Sequence, residues 1–93
     1  MDLNNITNMI KEYNPDAIIF DDLDEAIIGV GQQHGMNSVA IYDREKCIQI
    51  FADKFLKDSE NEDDAYLSAI EWFEFNVECS YLGENTPIFV NLF

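Results

Sequence analysis

The apolar positions of the chain are most concentrated between Ala65 and Ser80, and their spacing is helical. On a wheel of about 3.6 residues per turn they cover more than half of the circumference: Ala65, Tyr66, Ala69, Ile70, Trp72, Phe73, Phe75, Val77 and Cys79. Glu71, Glu74 and Glu78 share the remaining strip. A helix that is apolar over so wide an arc needs neighbours on several sides. We therefore predict a central helix enclosed by other elements, with one acidic ridge in solvent.

The first part of the chain predicts a helix followed by a β-hairpin. Apolar residues recur at helical spacing over 3–13, with Asp2 as the expected N-cap. Two apolar runs, 26–32 and 38–42, are joined by a short loop that contains a glycine, as in hairpins. Both runs are apolar at successive positions, so we expect helices to shield part of both faces of the hairpin.

The second part of the chain predicts two helices and a final strand. Asp43 is the expected N-cap of a helix over 44–57, and the pattern Ser59-x-x-Glu62 predicts a capping box that starts the central helix. Gly83 is expected to stop the central helix, and 86–90 predicts the last strand. The order α-β-β-α-α-β predicts an α+β fold in which one small sheet, made of the hairpin and the C-terminal strand, is covered by three helices.

Length and composition favour one compact acidic domain over residues 1–93. The chain has 93 residues, of which 47% are hydrophobic, enough to form a core. Its two cysteines, Cys47 and Cys79, fall in apolar helical patterns and are interpreted as core thiols. The N-terminal segment lacks the basic and apolar regions of a signal peptide, and no run is long enough to span a membrane. A cytoplasmic location is therefore expected.

The charge of the chain restricts the classes of partner. The formal net charge is −14, from 19 acidic residues against 5 Lys and Arg. Such a chain repels nucleic acid and anionic membranes, because phosphate contacts require cations. We therefore expect no direct binding to nucleic acid or membrane, and a partner selected by electrostatics would be basic.

Three motifs were weighed as cofactor, metal or catalytic sites. Gly29-x-Gly31-x-x-x-Gly35 is close to a dinucleotide fingerprint, but it leads into a strand and its third glycine comes one place late. An EF-hand register over 58–64 puts Ala69 where a bidentate glutamate is needed. His34 lies on the hairpin loop with no evident nucleophile, and a catalytic carboxylate pair would need a pocket that separates two pKa values. We predict no cofactor, no metal and no catalytic residue.

The acidic ridge is the predicted partner-binding surface. Glu71, Glu74 and Glu78 lie three and four residues apart, which places neighbouring carboxylates about 5–6 Å apart, and Asp64 extends the line. DNA carries one charge roughly every 1.7 Å of its axis, so the ridge resembles one edge of a duplex to a basic DNA-binding protein. The alternative interpretation is surface charge that only keeps the protein in solution.

Two further features suggest interaction surfaces. The polar connection before the last strand contains Tyr81, Gly83, Glu84, Asn85 and Thr86. Either Thr86 and Asn85 fix that corner by bonding backbone groups, or the segment contacts a partner. Ile50 and Leu67 fall on predicted exposed faces, and the chain ends with an apolar tail at 89–93. Four of the five basic residues lie in the helix over 44–57, so this helix of one copy and an acidic face of another predict a homodimer.

Four segments in a fixed order resemble a group of small acidic proteins found in phage, prophage and bacterial genomes and described as hypothetical. The segments are DEAIIG at 24–29, AIYDREKCI at 40–48, EWFEFN at 71–76 and GENTPIFV at 83–90. The resemblance covers about residues 24–90 and brings no catalytic residue. It implies an accessory protein of a phage that acts in a bacterial cytoplasm by binding another protein.

The sequence thus favours a non-enzymatic protein that binds a protein partner through an acidic surface, with DNA mimicry as one form of this. Its site residues would be Asp64, Glu71, Glu74, Glu78 and Glu84. The alternative is a small structural or assembly homo-oligomer, and an enzyme that uses a carboxylate pair comes third.

Overall fold

The computed structural model describes residues 3–57, 61–78 and 82–92. Its elements follow the predicted order of three helices and three strands. They are α1 (Leu3–Tyr13), β1 (Ile27–Gly31), β2 (Val39–Asp43), α2 (Arg44–Leu56), α3 (Glu62–Phe73) and β3 (Ile88–Val90). A 3₁₀ turn, Asp21–Ala26, precedes β1, and a π-helical turn, Glu74–Glu78, extends α3. The predicted α+β fold is therefore confirmed.

The three strands form one sheet in the order β1-β2-β3, with β2 in the centre. β1 and β2 pair antiparallel as a hairpin, with a bulge between Ile27 and Gly29. β2 and β3 pair parallel, Ile41 opposite Ile88. A parallel pair needs a long crossover, and α2 and α3 supply it. Most of β2 is buried, which agrees with a strand that is shielded on both faces.

The core joins the sheet to α2 and α3 through aromatic rings. Tyr42 and Phe73 are fully buried. Phe89 stacks on the Tyr42 ring at 5.4 Å and meets the Phe73 ring edge-on at 5.1 Å. The Tyr42 hydroxyl accepts a hydrogen bond from the backbone N–H of Phe20 at 2.9 Å, which satisfies a polar group that burial would otherwise penalise. The aromatic residues of α3 and β3 therefore fix the helix against the sheet.

Local sequence signals start and stop the helices with one change from the prediction. Asp43 caps α2 as predicted, its side chain accepting from the backbone N–H of Lys46. Asn61, not Ser59, caps α3, accepting from the N–H of Asp63 at 2.8 Å. The Asn61 side chain bonds a free N–H two residues ahead in the first turn, whereas a capping box would bond the N–H three residues ahead of the cap. Asp2 and Ser59 lie outside the described residues.

The corner that holds α1 to the rest of the fold is made by asparagine side chains. Asn14 Nδ2 donates to the carbonyl of Ser38 and to Asn85 Oδ1, both at 2.8 Å. Asn37 Nδ2 donates to the same Asn85 oxygen at 3.1 Å. The corner-fixing role predicted for Asn85 and Thr86 is thus carried by the Asn85 side chain and by the Thr86 hydroxyl, which accepts from the N–H of Leu82 and donates to the carbonyl of Gly83.

Two further predictions concern membrane-spanning segments and the two cysteines. Among the described residues no helix is long and apolar enough to cross a bilayer. Cys47 is fully buried in the core, as predicted, whereas Cys79 lies outside the described residues.

Candidate protein-binding surface

The most distinctive exposed surface lies on α3 and its π-helical turn. We call it the α3 face and define it by residues that are all exposed on one side of the helix: Asp64, Leu67, Ser68, Glu71, Trp72 and Phe75. Leu67 is 58% exposed and Phe75 is 79% exposed. Large apolar groups alternate here with carboxylates, an arrangement that differs from the purely acidic ridge predicted from the sequence.

Phe75 is exposed because it lies on the opposite side of the helix from the buried residues. It comes two residues after Phe73, which turns it by about 200° on an α-helical wheel, and the wider winding of the π-helical turn Glu74–Glu78 changes this angle little. The prediction that Phe75 belongs to the enclosed arc is therefore wrong, because that arc counted every apolar residue of the helix as buried. Asn76 Nδ2 donates to the carbonyl of Trp72 at 2.9 Å, which satisfies an acceptor near the change of winding.

Trp72 is also more exposed than predicted. One side of its ring packs on α2, with ring centroids 4.5 Å from Phe51 and 6.3 Å from Phe55. The residue nevertheless remains 41% exposed. The prediction of an enclosed tryptophan is therefore wrong, since Trp72 lies at the edge of the α2–α3 contact and contributes to the α3 face.

Glu74 and Glu78 face Arg44 instead of forming a free ridge. Arg44 Nε donates to Glu78 Oε2 at 2.6 Å, and Arg44 Nη2 donates to Glu74 Oε1 at 3.1 Å. The hydrogen bond with Glu78 raises the pKa of Arg44 above its ordinary value. The guanidinium also lies 5.8 Å from the centroid of the Phe73 ring. This ion-pair network fastens the π-helical turn to the start of α2 and neutralises charge that the acidic ridge was expected to display.

The remaining predicted site residues divide between two places. Asp64 and Glu71 are exposed on the α3 face. Glu84 is exposed as well, but it lies on the turn before β3, beside a depression that Gln33 and Met36 of the hairpin loop also line. The structure thus brings together Asp64 and Glu71, pairs Glu74 and Glu78 with Arg44, and places Glu84 next to the hairpin loop.

A second acidic region lies between α2 and α3. A groove of about 350 Å³ is lined there by Asp53, Glu62 and Asp63 among others. Tyr66 borders it and donates its hydroxyl to the Glu45 carboxylate at 2.8 Å, a bond that raises the pKa of Tyr66. In the described part of the chain, no group of three or more histidine, cysteine, aspartate or glutamate residues is placed to hold a metal ion. Glu62 and Asp63 have a structural role in the first turn of α3, where negative charge is favourable.

The residues weighed for catalysis do not meet in a pocket. His34 is exposed on the hairpin loop. Among the described side chains no charged residue is buried as a whole, but the Asp24 Oδ1 atom is enclosed and has no hydrogen-bond partner. A catalytic pair would need two carboxylates in one enclosed environment that pushes their pKa values apart.

Two basic residues of α2 form ion pairs with acidic residues of the same chain. Arg44 binds Glu74 and Glu78, and Lys54 Nζ lies 3.3 Å from Asp22 Oδ2. Ile50, predicted to be exposed on this helix, is partly buried against the core. These contacts reduce the positive charge available for the predicted pairing of α2 with a second copy.

Two residues of this surface were not identified by sequence reasoning. Arg44 carried a usable signal, since it is the only arginine in the sequence and follows the N-cap of α2 directly. Phe75 carried one as well, since on the helical wheel it lies beside Glu71 and nearly opposite Phe73. Comparison with protein-family models, with curated proteins and with solved structures finds no match to this chain.

Proposed function

We propose that this chain is a non-enzymatic binding protein whose α3 face engages a basic protein partner. The observation that carries the proposal is the exposure of Phe75 and Leu67 beside Asp64 and Glu71 on one side of a helix that the core holds in place. The other side of this helix packs against the core through Ala65, Ala69 and Phe73, so the backbone that carries the exposed groups is held in position.

The apolar groups of the α3 face have the properties of binding anchors. Single exposed apolar side chains are ordinary on protein surfaces, but Leu67, Trp72 and Phe75 share one side of one helix. A few residues carry most of the energy of a typical interface, and aromatic side chains are frequent among them. Trp72 is already held against Phe51 at 4.5 Å, so ordering it on binding costs little conformational entropy.

The carboxylates define the chemistry of the partner. Asp64 and Glu71 border the apolar anchors, and the whole chain carries −14. Such a field accelerates encounter with a basic surface and opposes acidic ones. A partner that fits presents an apolar segment bordered by Lys or Arg.

DNA mimicry is the form of this function that the α3 face favours least. A mimic needs a row of free carboxylates, and Arg44 engages Glu74 and Glu78. Leu67 and Phe75 also interrupt the row with groups that have no counterpart on a phosphate backbone. Competition by duplex DNA for the partner is the readout that would favour mimicry.

The proposed setting follows from the resemblance to small acidic phage and prophage proteins. We propose that the chain acts in a bacterial cytoplasm as a phage accessory protein, with a host or phage protein as the partner. The alternative function remains a small structural or assembly homo-oligomer, and an enzyme that uses a carboxylate pair comes third.

Capture of partners from a bacterial lysate at low and high salt tests the proposal. Glu71→Lys and Phe75→Ala should each reduce capture by at least about tenfold, the loss of roughly 1.4 kcal/mol of binding free energy. Glu12→Lys makes the same charge change on exposed α1, and Met36→Ala removes an exposed apolar side chain from the hairpin loop. Both control variants should retain capture.

Two results would contradict the proposal. Equal loss of capture with Glu12→Lys and Glu71→Lys would mean that total charge acts without a specific surface. Capture that does not weaken as salt rises from about 0.1 M to 1 M, where the Debye length falls from about 10 Å to 3 Å, would mean that the carboxylates do not select the partner.

A further inference from the structure

Arg44 engages two carboxylates that border the α3 face. Its Nε donates to Glu78 Oε2 at 2.6 Å, and its Nη2 donates to Glu74 Oε1 at 3.1 Å. Glu74 comes three residues after Glu71, and Glu78 comes four residues after Glu74, so each glutamate lies about one helical turn from the one before it. Without Arg44, the charges of Glu74 and Glu78 would therefore add to that of the α3 face.

The fold fixes the position of this arginine. Arg44 is the first residue of α2, directly after the cap Asp43, and its side chain is only 22% exposed. The guanidinium lies 5.8 Å from the centroid of the buried Phe73 ring. The helix dipole disfavours a cation in the first turn of a helix, so the two carboxylates account for the placement of Arg44 there. Arginine suits this task because its planar fork of donors can bond two carboxylates at once.

The carboxylates of the α3 face itself have no such cation. Asp64 and Glu71 are exposed, and none of the ion pairs in the described part of the chain includes either of them. The α3 face thus presents two carboxylates beside its apolar groups, while the two glutamates that would lengthen the acidic row are engaged. This division between available and engaged charge is a property that affects the choice of partner.

We infer that Arg44 is the specificity-determining residue of the α3 face. By holding Glu74 and Glu78 it limits the purely electrostatic attraction of the face, so a partner must also supply an apolar contact to Leu67 and Phe75. The inference rests on the proposed function and adds the class of basic protein that is rejected. That class consists of polycationic segments that offer charge without apolar side chains.

Loss of the arginine should relax this selection. Glu71, Glu74 and Glu78 would then form a continuous acidic row with neighbours about 5–6 Å apart. Such a row attracts any polycation, because ion pairing at a solvated surface demands little shape complementarity. Arg44 thus suppresses unwanted partners without itself contacting the intended one.

Titration of the full chain with decalysine tests the inference, because this peptide supplies charge without an aromatic or branched apolar side chain. Binding is measured from the NMR backbone amide signals of residues 71–78. Arg44→Gln should bind decalysine at these residues about fivefold more tightly than the wild type, the size of effect expected from two released surface carboxylates. Lys54→Gln makes the same charge change on α2 but releases Asp22, so binding at residues 71–78 should stay within about twofold of the wild type.

Two further variants separate selection from a merely structural role. The triple variant Arg44→Gln, Glu74→Gln, Glu78→Gln should bind decalysine at about the wild-type level, because the released carboxylates are absent. A helix that was only loosened by Arg44→Gln would not be repaired in this way. Circular dichroism shows whether each variant is folded, and Arg44→Met, which keeps an apolar stem near Phe73, serves if Arg44→Gln is not.

Three results would overturn the inference. Equal tightening by Arg44→Gln and Lys54→Gln would mean that total charge acts without the local ion pairs. Unchanged binding of decalysine by Arg44→Gln would mean that Arg44 does not withhold Glu74 and Glu78 from cations, and a gain that persists in the triple variant would mean that other groups bind the peptide. Failure of the proposed function is distinguishable, because capture of the partner by Phe75→Ala tests it and decalysine binding does not require Phe75.

Discussion

Two phenylalanines separated by one residue should respond in opposite ways to truncation. Phe73 is fully buried and touches the rings of Phe89 and Phe51, at centroid distances of 5.1 and 6.4 Å. Phe75 is 79% exposed. Both side chains are apolar, but they lie about 200° apart on the helical wheel, so the pair measures which side of the helix faces the core.

The expected magnitudes follow from burial. Phe73→Ala removes a buried ring and leaves a cavity, which costs about 3–5 kcal/mol of the free energy of unfolding. Phe75 hides only about a fifth of its surface, roughly 30–50 Å² of an aromatic residue, so Phe75→Ala costs about 1 kcal/mol or less at 25 cal/mol per Å². The two variants should therefore differ by at least about 2 kcal/mol.

Urea denaturation followed by circular dichroism measures the difference. A chain of this length has a total stability of about 5–14 kcal/mol, so Phe73→Ala is at risk of unfolding completely. Phe73→Leu removes fewer buried atoms and should cost about 1–2 kcal/mol, which keeps the comparison measurable. Equal slopes of unfolding free energy against urea would show that the variants unfold the same surface.

One result would refute the reasoning. If Phe75→Ala destabilised the protein as much as Phe73→Ala, Phe75 would be packed in the interior. The orientation of α3 against the core and the α3 face would then both be wrong, and with them the proposed protein-binding function.

The remaining predictions concern a buried thiol and a turn. Burial raises the pKa of Cys47 from 9.0 to about 12, so its protonated form is favoured in the fold; the stability that this thiol contributes is complete below pH 9.0 and is lost as pH rises toward about 12. In a Cys79→Ser background, Cys47 should resist a thiol reagent in the folded protein and react after unfolding in urea; fast reaction of the folded protein would contradict its burial. Gly83 has a positive φ of 95°, so Gly83→Ala should cost about 1–2 kcal/mol of unfolding free energy, whereas Gly29→Ala, at a glycine without positive φ and with open space at Cβ, should change it by less than about 1 kcal/mol. Thermal unfolding of this matched pair checks the expectation, which equal melting temperatures would contradict.

The order of the elements was predictable because each one has a local signal. Asp43 ends a strand and caps the next helix, and Pro15 and Gly35 fall in turns. The start of α3 was not predicted correctly. The Ser59 pattern predicts a capping box, whereas the helix begins after Asn61, whose side chain accepts from the N–H of Asp63.

The site was predictable only in part, because two of its glutamates pair with an arginine that is distant in the sequence. Asp64 and Glu71 are exposed because their positions on α3 face away from the core, and the wheel identifies both. Glu74 and Glu78 lie on the same predicted strip, but Arg44 is thirty or more positions earlier in the chain, and no local pattern announces an ion pair of that range.

The sequence by itself therefore determined the composition of this surface, the acidic character of the chain and the order of the elements along it. These properties depend on residues a few positions apart, and the helical and strand periods report them directly. Only the tertiary structure decided which groups of α3 reach solvent, because the packing of Ala65, Ala69 and Phe73 against the core leaves Phe75 on the outer side and Arg44 holds Glu74 and Glu78.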